Sequence, residues 1–408
     1  ALLGQQMPPT FQEAWYAAAL NRLKSENPRD QFNQQELANI FYGHAKLGQP
    51  MPHSFQEAWY AAVLNRLKSK NPSDQFDHQA LTNIFYGHVQ LGQQMPPTFQ
   101  KAWYTAALNL LNSKSPRDQF NQQALANIFY GHAQLGQKMP PTFQKAWYTA
   151  ALNRLNSKSP RDQFNQQALA NIFYGHVLLG QLMHPDFEMA WYAAALNRLK
   201  SPNPRDQFNQ QELSNIFYGH ALLQKEIPQD WINPLFNVLS TTESIKCMSS
   251  IYRGLSYFNL LEDLNSDPQR KRKYDAFCKR KNIPSKGSNL QTSVKGTLGE
   301  LFPDEFQEEH WFDSLVAHVD FYSPQQNLVV EVDGPSHFIE KTYRYNAQTL
   351  LRDRILEKSD RVKVVHVPYF EWAPLRNDSE KKQYLMRKVR SLDSEFSSSF
   401  SQEPSSSS

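Results

Sequence analysis

The sequence predicts an α-solenoid of 44-residue helix-pair repeats (59 − 15 = 44) followed by a small α/β domain. The first observation is that one tryptophan returns at this interval in five copies, at Trp15, Trp59, Trp103, Trp147 and Trp191. A fixed period of this length is typical of stacked helical repeats. The second observation is a short run of β-branched residues at 328–332, which predicts a buried strand well after the repeats have ended.

Each repeat contains the signals for two helices. The first helix is predicted to open at Thr10, with Glu13 three residues later as its capping box, and to run to about Lys24. The second is predicted to begin at Asn33 and to end at Gly48, because an apolar stripe at helical spacing lies between them. The recurrent Trp, Phe-Tyr and Gly-His residues lie on these stripes, so we expect them to pack in the core.

These patterns divide the chain into five segments. Residues 1–224 are predicted to form five helix pairs, and 225–268 to form degenerate helices that close the solenoid. A basic linker at 269–289 precedes an α/β domain at 290–393 and a Ser-rich tail at 394–408, which we expect to be disordered. The chain opens partway through a repeat, so we expect it to be a fragment of a protein with more repeats.

The composition is that of a folded protein. The chain has 408 residues, of which 40% are hydrophobic and 13% aromatic, enough for several packed domains. A net charge of +4 permits nucleic-acid binding without requiring it. The two cysteines make neither a metal pattern nor a disulfide framework, which favours a reducing, intracellular compartment: an organelle matrix (mitochondrion or chloroplast) or a bacterial or host cytosol. No apolar run reaches the roughly 18 residues of a membrane span, and we expect a monomer.

Two acids lie in or directly after the predicted strand at 328–332. Glu331 and Asp333 are spaced i, i+2, so both side chains point to one face of the sheet. A hairpin with the strand predicted at 316–321 places Asp320 opposite Glu331, and three converging carboxylates could hold a divalent cation such as Mg²⁺ or Mn²⁺. The alternative is an edge strand whose acids are simply solvated.

Three separated motifs resemble the RAP domain: 330–338 (Val-Glu-Val-Asp-Gly-Pro-Ser-His-Phe), 349–356 (Thr-Leu-Leu-Arg-Asp-Arg-Ile-Leu) and 367–372 (Val-Pro-Tyr-Phe-Glu-Trp). The resemblance spans roughly 290–392 and implies a role in RNA processing, because RAP domains end organellar and bacterial RNA-processing proteins. RAP domains are themselves similar to the PD-(D/E)XK, restriction-endonuclease-like fold, particularly its very-short-patch-repair type.

By position, this resemblance implies catalytic roles for five residues. Asp320 would be the metal ligand on the hairpin, and Glu331 and Asp333 would be the acids of the active strand. His337 would be an auxiliary acid or a phosphate contact, and Glu300 would be the carboxylate of the first helix. Asp333 stands where the wider nuclease pattern has Lys. A metal-dependent endoribonuclease and a binding module without cleavage are therefore both retained as hypotheses.

The second helix of each repeat, as in 35–48, is similar to the octotricopeptide repeat, which implies binding of single-stranded RNA. In the first helix, several positions vary together between copies and share one face with an invariant asparagine. We predict that this face lines a concave groove and contacts RNA, although drift of a solvent face after duplication explains the same pattern. The predicted contacts are Asn21, Asn65, Asn109, Asn153, Asn197, Lys24, Lys68, Lys101, Lys145 and Lys200.

The basic linker carries a second candidate RNA contact. Arg270, Arg272 and Lys273 are interleaved with Tyr274 and Phe277, which suits phosphate and base contacts, while a solvated helix is the alternative. The sequence therefore predicts an RNA-binding protein in RNA processing or stability, whose solenoid selects single-stranded RNA and whose α/β domain clamps or cleaves it. The other hypothesis is a protein-binding helical scaffold with a catalytically inactive nuclease-like domain.

Overall fold

The computed structural model describes residues 8–399 except for 28, 116, 242–243, 284–286 and 339–342. The chain divides into two compact units, Ala1–Glu212 and Leu213–Ser408. In the described part of the chain, no helix combines the length and the apolar composition needed to cross a membrane. The predicted fold class, helix-pair repeats followed by a small α/β domain, is confirmed.

Paired helices form the repeats. They are α1 (Pro9–Lys24), α2 (Gln34–Lys46), α3 (His53–Lys68), α4 (His78–Gln90), α5 (Pro97–Leu111), α6 (Gln122–Gln134), α7 (Pro141–Leu155), α8 (Gln166–Leu179), α9 (Pro185–Leu199) and α10 (Gln210–Leu222). The predicted capping box at Thr10 is wrong, because α1 already begins at Pro9 and has no capping side chain. Proline at the first helical position has a suitable φ and lacks an N–H that would need a partner.

The second helix of the first repeat has the ends that the sequence predicts. The Asn33 side chain accepts a hydrogen bond from the Glu36 N–H at 2.8 Å, and the Glu36 carboxylate accepts one from the Asn33 N–H at 2.8 Å. This reciprocal pair satisfies two backbone donors that the helix itself leaves unpaired. Gly48 follows the helix with a φ of 65°, a left-handed conformation that glycine adopts without strain.

One tryptophan per repeat joins neighbouring repeats. The Trp59 indole N–H in α3 donates to the Leu37 carbonyl in α2 at 2.9 Å, and the Trp59 ring stacks on Phe41 with ring centres 4.6 Å apart. The same indole-to-carbonyl bond recurs at Trp103, Trp147 and Trp191. Because Trp59 is fully buried, this bond satisfies a polar atom that water cannot reach. These four tryptophans are therefore core residues, as predicted, whereas Trp15 is partly buried.

The histidine of the Gly-His pair packs beside this core. His132 Nδ1 lies 2.6 Å from the Ile128 carbonyl, and His132 Nε2 lies 2.7 Å from the Tyr104 hydroxyl. Since a carbonyl only accepts, Nδ1 carries the proton and Nε2 accepts from Tyr104. Burial lowers the pKa of His132 to about 4, so the ring is neutral at pH 7. This histidine is structural.

Unit 2 continues with helices α11 (Ile232–Thr241), α12 (Ile245–Tyr257) and α13 (Pro268–Lys281). Tyr252, Leu255 and Phe277 are buried in one apolar cluster of these helices. The segment 269–289 was predicted as a linker, but α13 makes most of it a helix. Tyr274 and Phe277 lie in the same buried apolar cluster, which fits one face of a helix better than an extended connection.

The α/β domain contains helices α14 (Asn289–Leu301), α15 (Ala347–Ile355), α16 (Tyr369–Trp372) and α17 (Asp378–Ser399) and strands β1 (Gln307–Phe312), β2 (Ala317–Ser323), β3 (Leu328–Asp333) and β4 (Lys363–Pro368). The sheet order is β1-β2-β3-β4, in which β3 is antiparallel to β2 and parallel to β4. The predicted disorder from 394 is wrong for 394–399, which belong to α17, and 400–408 lie outside the described residues.

Strand β3 is the centre of this domain, and all six of its residues are buried. One face of β3 presents Val330 and Val332 to an apolar cluster that includes residues of α14 and α17. The opposite face presents Val329 to a cluster that includes Leu351 and Ile355 of α15. Because side chains alternate along a strand, Glu331 and Asp333 share the face of Val329 and point towards α15.

Candidate nucleic-acid interface and carboxylate cluster

A groove of about 630 Å³ runs along the second helices of the repeats in unit 1. In α4 it is lined by Gln79, Asn83 and Tyr86, whose spacing i, i+4, i+7 places them on one helical face. The opposite face of α4 buries Leu81 and Phe85 in the core. The groove is therefore the solvent face of the second helices, repeated from one helix to the next.

The same side-chain types line the groove in the following repeats. They are Gln123, Asn127 and Tyr130 in α6, and Gln167 and Asn171 in α8. The tyrosine rings form a row, with ring centres 6.2 Å apart between Tyr42 and Tyr86 and 6.4 Å apart between Tyr130 and Tyr174. Lys46 lies 5.3 Å from the Tyr42 ring and 5.7 Å from the Tyr86 ring, which adds a positive charge.

The amides of this groove are available to a ligand. The side chains of Asn83, Asn127 and Asn171 are partly buried, and they make no hydrogen bond to any described residue. By contrast, the neighbouring Gln122 side chain donates to the Arg161 carbonyl at 2.9 Å and fixes the loop of the next repeat. An amide that is half-buried and lacks a protein partner needs water or a ligand to satisfy it.

The predicted first-helix contacts lie on a different surface. They are all exposed, but none lines the groove of the second helices: Asn21, Asn65, Asn109, Asn153, Asn197, Lys24, Lys68, Lys101, Lys145 and Lys200. The second helices of neighbouring repeats pack more closely together than the first helices do. This groove consequently forms along the second helices. Asn153 and Asn197 of the first-helix face line smaller cavities, and RNA contact by that face stays a prediction.

The basic helix α13 exposes some of the predicted contact residues and buries others. Arg272 is exposed, whereas Arg270 lies 4.7 Å from the Phe236 ring and pairs with Asp267 at 3.5 Å. Tyr274 and Phe277 are buried, and the Tyr274 hydroxyl donates to the Asp313 carbonyl at 3.0 Å. These two rings cannot stack on bases, so the predicted aromatic contacts are wrong. Lys273 is partly buried on the same helix.

In the α/β domain, Glu331 points towards α15 and forms an ion pair with Arg352. Glu331 is only 1% exposed, and neither of its carboxylate oxygens accepts a well-aligned hydrogen bond from a described residue. Burial raises the pKa of Glu331 well above its ordinary value, while the Arg352 charge opposes that rise. The position of Glu331 matches the prediction, but its partner is a guanidinium from a helix.

Asp333 is completely buried between two histidines. Its carboxylate lies 3.0 Å from His337 Nδ1 and 2.7 Å from His366 Nδ1. Although burial raises the pKa of Asp333, the hydrogen bonds from the two histidines outweigh it and lower the pKa to about 2. His366 Nε2 lies 3.1 Å from Asp353. Burial lowers the pKa of His366, but its bonds to Asp333 and Asp353 prevail and raise it to about 10.

The other two predicted acids have separate partners. Asp320 accepts hydrogen bonds from the Gln291 side chain at 2.5 Å and from the Val332 N–H at 2.7 Å. The Asp320 carboxylate therefore provides an acceptor for a backbone N–H of β3 and also contacts α14. Glu300 is exposed and pairs with Lys382 at 2.7 Å. Among the described residues, no group of three or more potential ligands is placed to hold a metal ion.

The described side chains do not fit a resident Mg²⁺ or Mn²⁺. The positive charge that three acids would require is already supplied by Arg352 and by His366, whose raised pKa keeps it protonated at pH 7. The sequence reasoning gave no role to Arg352, Asp353 or His366. His366 lies beside Glu331 in the parallel register of β3 and β4, which only the structure reveals.

The fold and the site define a class: a helical-repeat protein that ends in a small α/β domain with a buried ion-pair cluster. Residues 330–388 match the family model of the RAP domain. The chain therefore carries a RAP domain, and the match includes most of β3 together with α15, β4 and α16. RAP domains are associated with RNA binding. A comparison with curated proteins finds no match.

Proposed function

We propose that this chain binds single-stranded RNA and acts in RNA processing or stability. The observation that carries the proposal is the row of Asn83, Asn127 and Asn171, whose amides lack protein partners. Each amide offers one acceptor and two N–H donors at the same place in successive repeats. Single strands, unlike duplexes, expose base edges to such groups, and helical repeats elsewhere contact one base per repeat.

The RAP domain is proposed to hold RNA without cutting it. Its carboxylates are already neutralised inside the protein, so they supply neither a free general base nor a metal site. The phosphate contacts come instead from α13, the helix that precedes this domain, through its exposed residues Arg272, Lys279 and Arg280. The competing hypothesis is the metal-dependent endoribonuclease with Asp320, Glu331 and Asp333 as ligands.

The test uses the full chain with a labelled single-stranded RNA pool, in Mn²⁺ or in EDTA, with binding and cleavage read on one gel. We expect binding in both conditions and cleavage in neither. Cleavage in Mn²⁺ that Asp333→Asn abolishes would refute the binding-only role. Absence of binding at low salt would refute the RNA hypothesis as a whole.

Two matched triple variants locate the contact. Asn83→Ala, Asn127→Ala and Asn171→Ala together remove the groove amides, while the same change at Asn65, Asn109 and Asn153 removes amides of the first-helix face in the same repeats. We expect at least a tenfold loss of affinity in the groove variant. A loss confined to the first-helix variant would instead assign binding to the face that the sequence predicts.

A protein-binding scaffold is the second candidate, because one region of the repeats exposes apolar side chains. Leu178, Leu182 and Met189 are 44%, 55% and 66% exposed. Equivalent positions of the preceding repeat hold Gln134, Lys138 and Lys145. Salt separates the two candidates. RNA affinity should fall steeply as the salt concentration rises, with a slope of roughly −0.7 per phosphate contact in a plot of log affinity against log salt concentration. Peptide affinity in an apolar site should change little with salt.

A further inference from the structure

The groove presents nearly the same chemistry along α4, α6 and α8. Gln79, Asn83 and Tyr86 in α4 are followed by Gln123, Asn127 and Tyr130 at the same helical positions in α6. A strand that runs along the groove and contacts consecutive repeats therefore meets the same donors and acceptors each time. Recognition by side chains that do not vary between repeats cannot select a varied base sequence.

The tyrosine spacing shows how bases can be contacted. The rings of Tyr42 and Tyr86 are tilted with centres 6.2 Å apart, and those of Tyr130 and Tyr174 with centres 6.4 Å apart. Stacking on such rings accepts every base, because every base has a π-face, so it adds affinity without selecting a sequence. Selection among the bases therefore falls to the amides on the neighbouring helical turn.

Among the bases, adenine matches these amides well. An asparagine or glutamine amide donates to adenine N7 and accepts from its N6 amino group in a bidentate pair. Three groove helices, α4, α6 and α8, each carry two such amides one turn apart, such as Gln79 and Asn83, to which no described residue hydrogen-bonds. One face thus offers a bidentate partner for an adenine edge at each of these three repeats.

We infer that the groove selects single-stranded RNA in which adenine recurs from one repeat to the next, an adenine tract rather than a mixed sequence. This inference rests on the proposed function. Asn83, Asn127 and Asn171 are its central contacts. The uniform groove sets the sequence preference, and basic residues elsewhere, such as Arg272, add affinity that does not depend on sequence.

The test is a competition measurement by fluorescence anisotropy with the full chain. The competitors are oligoadenylate, oligouridylate, oligocytidylate and a mixed sequence, each of about 12 nucleotides, within the range of single-strand binding sites. We expect oligoadenylate to compete at least tenfold better than the other three. Equal competition by all four, or a preference for another base, would overturn the inference while leaving RNA binding intact.

The groove variants make the test specific. The triple variant Asn83→Ala, Asn127→Ala and Asn171→Ala should bind all four competitors with similar, weaker affinity. A second triple variant with Asn→Asp at the same positions keeps the side-chain size and removes the amide donors, so it should lose the adenine preference as well. A preference for oligoadenylate retained in both variants would overturn the inference. No binding to any RNA by the unmodified chain would refute the proposed function itself.

Discussion

Acidification from pH 7 to pH 5 should destabilise the repeats through His88, His132 and His176. Burial lowers the pKa of each folded imidazole to about 4 from an ordinary value of 6.5. The unfolded chain therefore takes up these protons first, and stability is lost as the pH falls through 6.5 towards 4. At pH 5 the unfolded state gains about 2 kcal/mol per histidine, or about 6 kcal/mol for the three.

The assay is urea unfolding at both pH values, followed by circular dichroism, in the unmodified chain and in His132→Gln. Other titrating groups contribute equally to both proteins, so the difference between their pH dependences isolates one histidine. His132→Gln should lose about 2 kcal/mol less stability on acidification than the unmodified chain. The exposed His184, changed to Gln, is the control for removing an imidazole. Identical pH dependence in His132→Gln and the unmodified chain would refute the reasoning.

Two further predictions concern packing and the ion pair. Gly131→Ala should destabilise the chain by about 1–3 kcal/mol in urea unfolding, because an added Cβ would lie 2.6 Å from the Phe85 ring. Gly43→Ala is the matched control, since an added Cβ there has no atom within 4 Å, and an equal loss in both would contradict this account. Arg352→Met should cost about 3 kcal/mol by leaving the buried Glu331 unpaired. Adding Glu331→Gln should restore most of that loss, and a double variant no more stable than Arg352→Met alone would argue against the pair.

The repeats were largely predictable because their signals are local. The tryptophan interval, the Asn33 cap and the Gly48 stop each depend on residues within one repeat, and the structure has all three. The predicted start of α1 was wrong because the sequence contains two competing signals for the beginning of a helix. Thr10 with Glu13 resembles a capping box, but the preceding prolines already start the helix.

The groove was missed because the sequence comparison looked for variation between copies. Varying positions such as Glu13 and Lys101 drew attention to the first helix, whereas Asn83 and Asn127 do not vary. Which helix lines a groove depends on how closely each helix packs against its counterpart in the next repeat. That packing follows from the sizes of many interior side chains together, and no single position reveals it.

The positions of the acids in the carboxylate cluster were predictable from the sequence, but their partners were not. Strand alternation alone places Glu331 and Asp333 on one face, but their partners Arg352 and His366 come from other elements. The hairpin register was predictable, because Phe321 pairs with Val330 and the same register places Asp320 opposite Glu331. The partners of the Asp320 carboxylate were not, because the Gln291 side chain comes from a distant helix and the Val332 N–H from the backbone.

The indole bond from Trp59 to Leu37 spans two repeats, and its equivalents continue along the array. A deletion of 44 residues (59 − 15 = 44) within the array brings an equivalent tryptophan to an equivalent carbonyl, wherever the deletion begins. A deletion that removes part of a paired helix leaves a buried indole without its acceptor. Recombination between copies can therefore lengthen or shorten the array only in whole repeats. Array length is thus a discrete inherited trait, and the span of nucleic acid that the groove covers would change with it one step at a time.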